Sequence, residues 1–298
     1  MKLLLFGRNG QVGWELQRSL AVLGEVVGLD RHSRDHCGDL AQLEALAATV
    51  RQVRPDVIVN AAAYTAVDKA ESEADLARTI NALAAGVLAK EAQQLGAWLV
   101  HYSTDYVFDG SGTRPWMETD HTGPLNVYGR TKLEGERLAA AACERHLILR
   151  TSWVYGARGG NSIRTMLRLA QEREKLTVID DQHGAPTSAE LLADVTAHAI
   201  RQAKAGGRDE LAGVYHVAAA GETTWHGYAS HVLEQTRRTQ PSVRIKAAEV
   251  ARVASEAFPT AARRPLNSRL DTAKLQSAFG LCLPAWQQGV DRVLAEIL

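Results

Sequence analysis

An α/β fold built on a doubly wound parallel sheet is what this sequence predicts, and three observations predict it. The chain opens on a short apolar run, Lys2-Leu3-Leu4-Leu5-Phe6, closed by a glycine-rich turn. Apolar runs of strand length then alternate with segments of helical periodicity through the first half of the chain. Strand and helix in repetition give parallel strands with helices on both faces. Finally, 298 residues at 46% hydrophobic content suit one large or two modest domains with a full core.

The first strand, Lys2 to Phe6, runs into Gly7-Arg8-Asn9-Gly10-Gln11-Val12-Gly13 and then into the helical pattern of Trp14, Leu16, Leu20 and Leu23. A buried strand, a glycine turn and a helix are the context of a dinucleotide fingerprint, which makes the fold a Rossmann fold. The spacing is G-x-x-G-x-x-G instead of G-x-G-x-x-G, but the physics carries over. Gly7 permits the tight turn, Gly10 lets the backbone approach a pyrophosphate, and Gly13 lets helix and strand pack closely. The helix N-terminus, with Asn9, Gln11 and Val12 around it, faces the phosphates. Glu25 to Leu29 is the second strand, and Asp30 at its end stands where an acidic residue meets the adenosine ribose. A carboxylate there repels a 2′-phosphate and favours NADH slightly; Arg8 and Arg31 can neutralise such a phosphate, so NADPH stays open. Asp39-Leu40 can continue the site at the adenine, and Asp39 can equally be the N-cap of the helix carrying Leu43, Leu46 and Val50.

Asp56 to Asn60 is the third strand, followed by Ala61, Ala62, Ala63, Tyr64 and Thr65, whose small residues allow backbone approach to a cofactor or simply pack. Ala74 to Gln94 reads as one long helix, Ala97 to Ser103 as the fourth strand, and His146 to Arg150 as the fifth. Between these last two strands lies a helix running toward Cys143. Beyond residue 150 the pattern loosens. Asn161 to Glu174 and Ala189 to Ala203 look helical, Leu176 to Ile179 and Gly213 to Val217 are short strands, and Trp286 to Leu298 is a closing helix.

The helix ending near Cys143 carries Tyr128 and Lys132. Four residues apart, they share one helix face. A phenol of pKa about 10 exchanges protons poorly near neutrality. A neighbouring ammonium lowers that pKa and makes Tyr128 a usable general acid. By itself the pair also fits a solvated helix face. In a doubly wound sheet ligands sit beyond the carboxyl ends of the strands, so Asn60 to Thr65 and Ser103-Thr104-Asp105 point into the site.

Composition removes other classes. Lys plus Arg and Asp plus Glu balance at 34 each, so no nucleic-acid or acidic-membrane surface is indicated. Cys37, Cys143 and Cys282 are odd in number and far apart, which reads as reduced thiols in a cytoplasmic protein. The opening run is too short for a signal peptide, no segment has transmembrane length, and the ten histidines form no metal motif.

Gly7-x-x-Gly10-x-x-Gly13, the strand end Ser103-Thr104 and Tyr128-x-x-x-Lys132 together resemble the extended short-chain dehydrogenase/reductase superfamily. Further segments resemble its dTDP-4-dehydrorhamnose reductase family: Ala62 to Glu71, Ser103 to Gly110, Pro124 to Gly129, Arg150 to Gly156, and Arg264-Pro265-x-Asn267-Ser268-x-Leu270. The resemblance implies hydride transfer from NADH or NADPH to the C4 ketone of a dTDP-4-dehydro-sugar, making dTDP-L-rhamnose for cell-surface polysaccharide. Tyr128 is then the proton donor and Lys132 its partner, which also bonds the nicotinamide ribose. Thr104 binds the carbonyl oxygen, with Asp105 beside it, unless it merely ends the strand. Trp153 packs on the sugar, unless it is a core residue, and Arg263-Arg264 grips the diphosphate or is a solvated basic pair.

The resemblance further implies a dinucleotide-binding domain over 1–150 and a smaller C-terminal nucleotide-sugar lobe over 151–298, with segments crossing between them. It implies a homodimer, and a non-catalytic Mg²⁺ for which Glu15, Glu190 and Asp194 are candidate ligands, though exposed helix charges are the plainer reading. Dehydration is disfavoured, since Asp105 is followed by Tyr106 where dehydratases carry Glu. A related epimerase, or a dinucleotide-binding regulatory subunit of the methionine adenosyltransferase type, are the other readings the fold allows.

Overall fold

The computed structural model describes residues 1–298. Its centre is a six-stranded parallel sheet of β1 (Lys2–Phe6), β2 (Glu25–Leu29), β3 (Val57–Asn60), β4 (Trp98–Thr104), β5 (His146–Thr151) and β6 (Gly213–His216), in the order β6-β5-β4-β3-β1-β2. Alternation explains how it is buried. Leu3 and Leu5 enter one apolar cluster with Leu16, Leu20 and Leu192; Leu4 and Phe6 enter another with Leu46, Val50 and Leu88. A strand apolar on both faces needs a helix layer on each side. α1 (Gln11–Ala21) and a later helix at Ala189–Lys204 cover the first face. α2 (Leu43–Val53), α3 (Ala84–Leu95) and α4 (Val127–Ala142) cover the second.

The order places a topological switch between β1 and β3: the chain steps outward to β2, then returns to build β3, β4 and β5 on the other side. The glycine turn after β1 and Ala61–Ala63 after β3 therefore flank a crevice at the carboxyl edge. β6 and the Ala189–Lys204 helix come from the second half of the chain, yet complete the first-half sheet. The remaining segments form a smaller lobe with its own core of Tyr155, Tyr228, Trp286 and Val290. It includes the short parallel pair Lys175–Ile179 with Glu249–Val253. No helix is long and apolar enough to cross a membrane.

Two local expectations are corrected. The helix expected over 74–94 is broken: Ala74–Arg78 and α3 are joined by a π-helical turn at Thr79–Leu83. The wide turn aims the buried Asn81 at the chain after β3, where its Oδ1 accepts from Tyr64 N at 2.8 Å. Its Nδ2 donates to Tyr64 O and to Thr131 Oγ1, each at 3.1 Å. A π-turn at this place fixes a strand-end segment that lines the crevice. Asp39 is not a helix N-cap, since Gln42 holds that position. Instead its Oδ1 accepts from Ala41 N at 3.0 Å in an Asx turn.

Candidate active site

One cleft of about 910 Å³ lies over the carboxyl edge of the sheet. Gly7, Asn9, Gly10, Gln11 and Val12 line it from the first turn, Asp30 from β2, and Asp39 and Leu40 from the loop after it. Ala62, Ala63, Tyr64 and Thr65 line it from the end of β3, and Thr104, Asp105, Tyr128, Lys132 and Trp153 close its other end. Gly13 does not touch the cleft but decides its shape. A Cβ there would sit 2.0 Å from Gly7 O, so only glycine lets α1 seat against the turn. Gly7 has φ of 86°, the left-handed region that glycine adopts without strain.

The residues present fit a dinucleotide. The turn offers backbone N–H groups at a helix N-terminus and leaves Gln11 Oε1 buried without a partner. Asp30 Oδ2 accepts from Asn9 Nδ2 at 2.7 Å and Arg8 Nε at 3.0 Å, while Oδ1 accepts from His32 N at 2.7 Å. The His32 backbone bond, with Arg8 beside it, holds this carboxyl below the ordinary range, so it stands as an ionised acceptor at the cleft.

At the reacting end, Asn126 caps α4, its Oδ1 accepting from Gly129 N at 2.8 Å. The helix thereby starts beside the end of β4, and Tyr128 stands next to Thr104 with both lining the cleft. Thr104 Oγ1 also accepts from Tyr106 N and donates to Asp105 Oδ1, each at 3.1 Å. The Thr104 hydroxyl thus caps the short 3₁₀ turn Asp105–Val107, and the residue also lines the cleft. The expectation that Lys132 lowers the Tyr128 pKa is not met. Burial, with Asp105 nearby, pushes the phenol up to about 12. Lys132 is itself brought down to about 8 by burial, and its Nζ donates to Tyr102 O at 2.5 Å. A phenol held above its usual value stays protonated, which suits a proton donor. Asp105 is raised to about 7 by burial, with hydrogen bonds from Ser268 and Thr104 opposing; its Oδ2 has no partner and faces the cleft.

Trp153 is not a core residue. It adopts φ of 49°, uncommon for a bulky side chain, and lays its ring on Gly184 and against Trp225, centroids 4.2 Å apart. Trp225 and Tyr106 also line this end of the cleft and were not among the expected site residues. Trp225 carried no motif of its own, and Tyr106 lay inside the family-like Ser103–Gly110 segment without a chemical signal that marked it as a site residue. A smaller cavity of about 290 Å³ continues from Tyr106 and Trp225, walled by Thr177, Val178, Ile179 and Phe258. Arg264 borders it, but is not a free cation: its half-buried guanidinium pairs with Asp68 at 2.7 and 3.1 Å.

The metal expectation finds no support in this structure. Glu15, Glu190 and Asp194 do approach one another across α1 and the Ala189–Lys204 helix, but guanidinium groups already hold them. Arg18 lies 3.5 Å from Glu15, 4.0 Å from Glu190 and 3.1 Å from Asp194, and Arg292 lies 2.8 Å from Glu190. Each of the three carboxylates is thus already paired with a guanidinium group, and no group of three or more His, Cys, Asp or Glu side chains is arranged to hold a metal. Exhaustive dialysis against EDTA should leave turnover and Tm unchanged; loss of either, restored by Mg²⁺ alone, would reinstate the site.

A parallel sheet whose glycine turn and Tyr-x-x-x-Lys helix face one crevice defines a short-chain dehydrogenase/reductase of the extended class. Within that class, the model of the RmlD substrate binding domain matches residues 1–298. A dTDP-4-dehydrorhamnose reductase of Shigella flexneri is 58% identical over 297 residues, covering 100% of this chain and 98% of that protein. A crystal structure of a dTDP-4-dehydrorhamnose reductase from Clostridium acetobutylicum superposes with a TM-score of 0.89 at 34% identity, covering 99% of both chains. One from Bacillus anthracis, in complex with NADP, gives 0.87 at 34% identity and the same coverage. The chain belongs to the dTDP-4-dehydrorhamnose reductase family.

Proposed function

We propose that this protein is an NAD(P)H-dependent oxidoreductase that reduces the C4 ketone of dTDP-4-dehydro-β-L-rhamnose to the alcohol of dTDP-L-rhamnose. The observation that carries the reading is the convergence of Thr104, Tyr128 and Lys132 at one end of a cleft whose other end is the glycine turn. The bound reduced dinucleotide supplies the hydride. The protein's own residues do the rest. The turn from Gly7 to Val12 cradles the pyrophosphate, Asp30 accepts from the adenosine ribose, and Asp39 and Leu40 flank the adenine. Ala62, Ala63, Tyr64 and Thr65 let the main chain approach the cofactor's middle.

Thr104 donates to the ketone oxygen and Tyr128 passes its proton to that oxygen as the C–H bond forms at C4, leaving a neutral alcohol. The Lys132 ammonium stabilises the phenolate left behind and bonds the nicotinamide ribose. Asp105 and Trp153 hold the sugar by hydrogen bonding and ring packing. Arg8 and Arg31 beside Asp30 support use of NADPH as well as NADH, and the NADP bound by the Bacillus anthracis relative agrees with this. The homodimer, the cytoplasmic location and a place in polysaccharide or lipopolysaccharide synthesis, all drawn from the family resemblance, belong to the same proposal.

Reduced-nicotinamide consumption with enzymatically made dTDP-4-dehydro-L-rhamnose tests the reading. Keto-sugar-dependent turnover supports it; bound dinucleotide without turnover would favour an epimerase or a binding subunit. The 290 Å³ cavity beside Trp225 has room for the pyrimidine, with the half-exposed Phe258 as a stacking face. Phe258→Ala should then raise KM for the keto sugar by about tenfold, the worth of one aromatic contact of about 1.4 kcal/mol, and leave kcat in place. An unchanged KM would put the base elsewhere.

A further inference from the structure

Behind Tyr128 and Lys132, α4 carries a buried charge to which the chemistry above gives no task. Glu136 follows Lys132 by one helical turn and is 4% exposed. It accepts from Arg150 Nε at 2.9 Å and Nη2 at 2.7 Å, a two-pronged pair with an arginine that is also 4% exposed. Arg150 lies over the Phe108 ring, 5.2 Å from its centre, and Phe108 stacks on Trp116 at 4.6 Å. One ion pair thus ties the helix of Tyr128 and Lys132 to β5 and to the chain that follows Thr104. Stability is a weak reason for such a pair, because well-packed apolar residues in its place are often neutral or better.

The charges around Lys132 give a stronger reason. Tyr128 and Glu136 flank it on α4 one turn to either side, His101 lies near it on β4, Asp105 stands beyond it beside Tyr128, and Arg150 on β5 stands behind Glu136. His101 is held neutral by its burial and by Lys132. Asp105 is pushed up to about 7 by burial, so near neutrality it is only partly an anion. Glu136, paired to Arg150, is the anion one turn away that opposes the loss of the Lys132 proton to burial. We propose that the Glu136–Arg150 pair is a positioning device for Lys132, in which Glu136 keeps the ammonium charged and Arg150 fixes that carboxylate and limits its field. The inference rests on Lys132 acting with Tyr128 in the reduction.

The test is the pH profile of kcat for the wild type, Glu136→Gln and Arg150→Met, with Tm and dinucleotide affinity measured on each. Wild-type turnover should fall as pH rises past about 8, where Lys132 loses its proton. Glu136→Gln removes the opposing anion, so this alkaline limb should move to lower pH by about one unit. Arg150→Met leaves Glu136 unneutralised beside Lys132, so the limb should move to higher pH. Opposite displacements cannot come from loosened packing alone. If both variants lose Tm but keep the wild-type limb, or move it the same way, the pair is structural only and the inference is overturned. Either variant alone decides the sign if the other does not fold. Lys132→Met serves as the control. If it retains high turnover with the wild-type limb, the assignment of Lys132 itself has failed, and this inference fails with it.

Discussion

Tyr128→Phe should lower kcat for the keto sugar by about 10²–10⁴-fold, the usual worth of a positioned general acid. The phenol lies half-buried at the end of the cleft beside Thr104 and is pushed up to about 12, so it holds a proton throughout the neutral range. The substitution removes one oxygen and keeps the ring, including its edge-on contact with Tyr106 at 5.7 Å between centroids. Dinucleotide affinity, read by quenching of tryptophan fluorescence, should therefore be retained. Near wild-type turnover in the Tyr128→Phe variant would move the proton donor elsewhere, Asp105 being the next group in the cleft able to carry one near pH 7.

Gly13→Ala should weaken dinucleotide binding by about a hundredfold, roughly 2.8 kcal/mol, and lower Tm as well. The added carbon meets Gly7 O at 2.0 Å, Gly7 C at 2.6 Å and Arg8 Cα at 3.0 Å, all main-chain atoms that no rotamer change can move aside. Relief requires α1 to slide away from the turn, which carries the helix N-terminus off the phosphates. Isothermal titration with NADH and NADPH checks it. Wild-type affinity in the variant would mean that the turn does not seat the pyrophosphate.

Much of the fold was legible along the chain because it is local. The run Leu3 to Phe6, apolar at every position, announces a strand buried on both faces, and Leu4 and Phe6 do enter a different cluster from Leu3 and Leu5. Tyr128 and Lys132 share a helix face by spacing alone, and their place at a strand's carboxyl end follows from the doubly wound topology. Glu136 was equally readable as the next turn of that face, but its partner was not. Arg150 is fourteen positions away on β5, and only the packing of α4 on the sheet brings them to 2.7 Å.

The alternation of strands and helices, the glycine turn and the tyrosine, lysine and threonine that share the cleft could thus all be read along the chain. They depend on periodicity, backbone freedom and side-chain chemistry that neighbouring residues set. The electrostatics could not be read that way and came only with the packed fold. Glu15, Glu190 and Asp194 are donor-rich on paper, yet Arg18 and Arg292 reach them from other turns and other helices and occupy them. Arg264 reads as a free cation until Asp68, far back in the chain, is folded against it. The Tyr128 pKa rises where the lysine spacing predicts a fall. The reason is common to all three: charge depends on burial and on partners distant in sequence, and both are fixed only when the layers close around them.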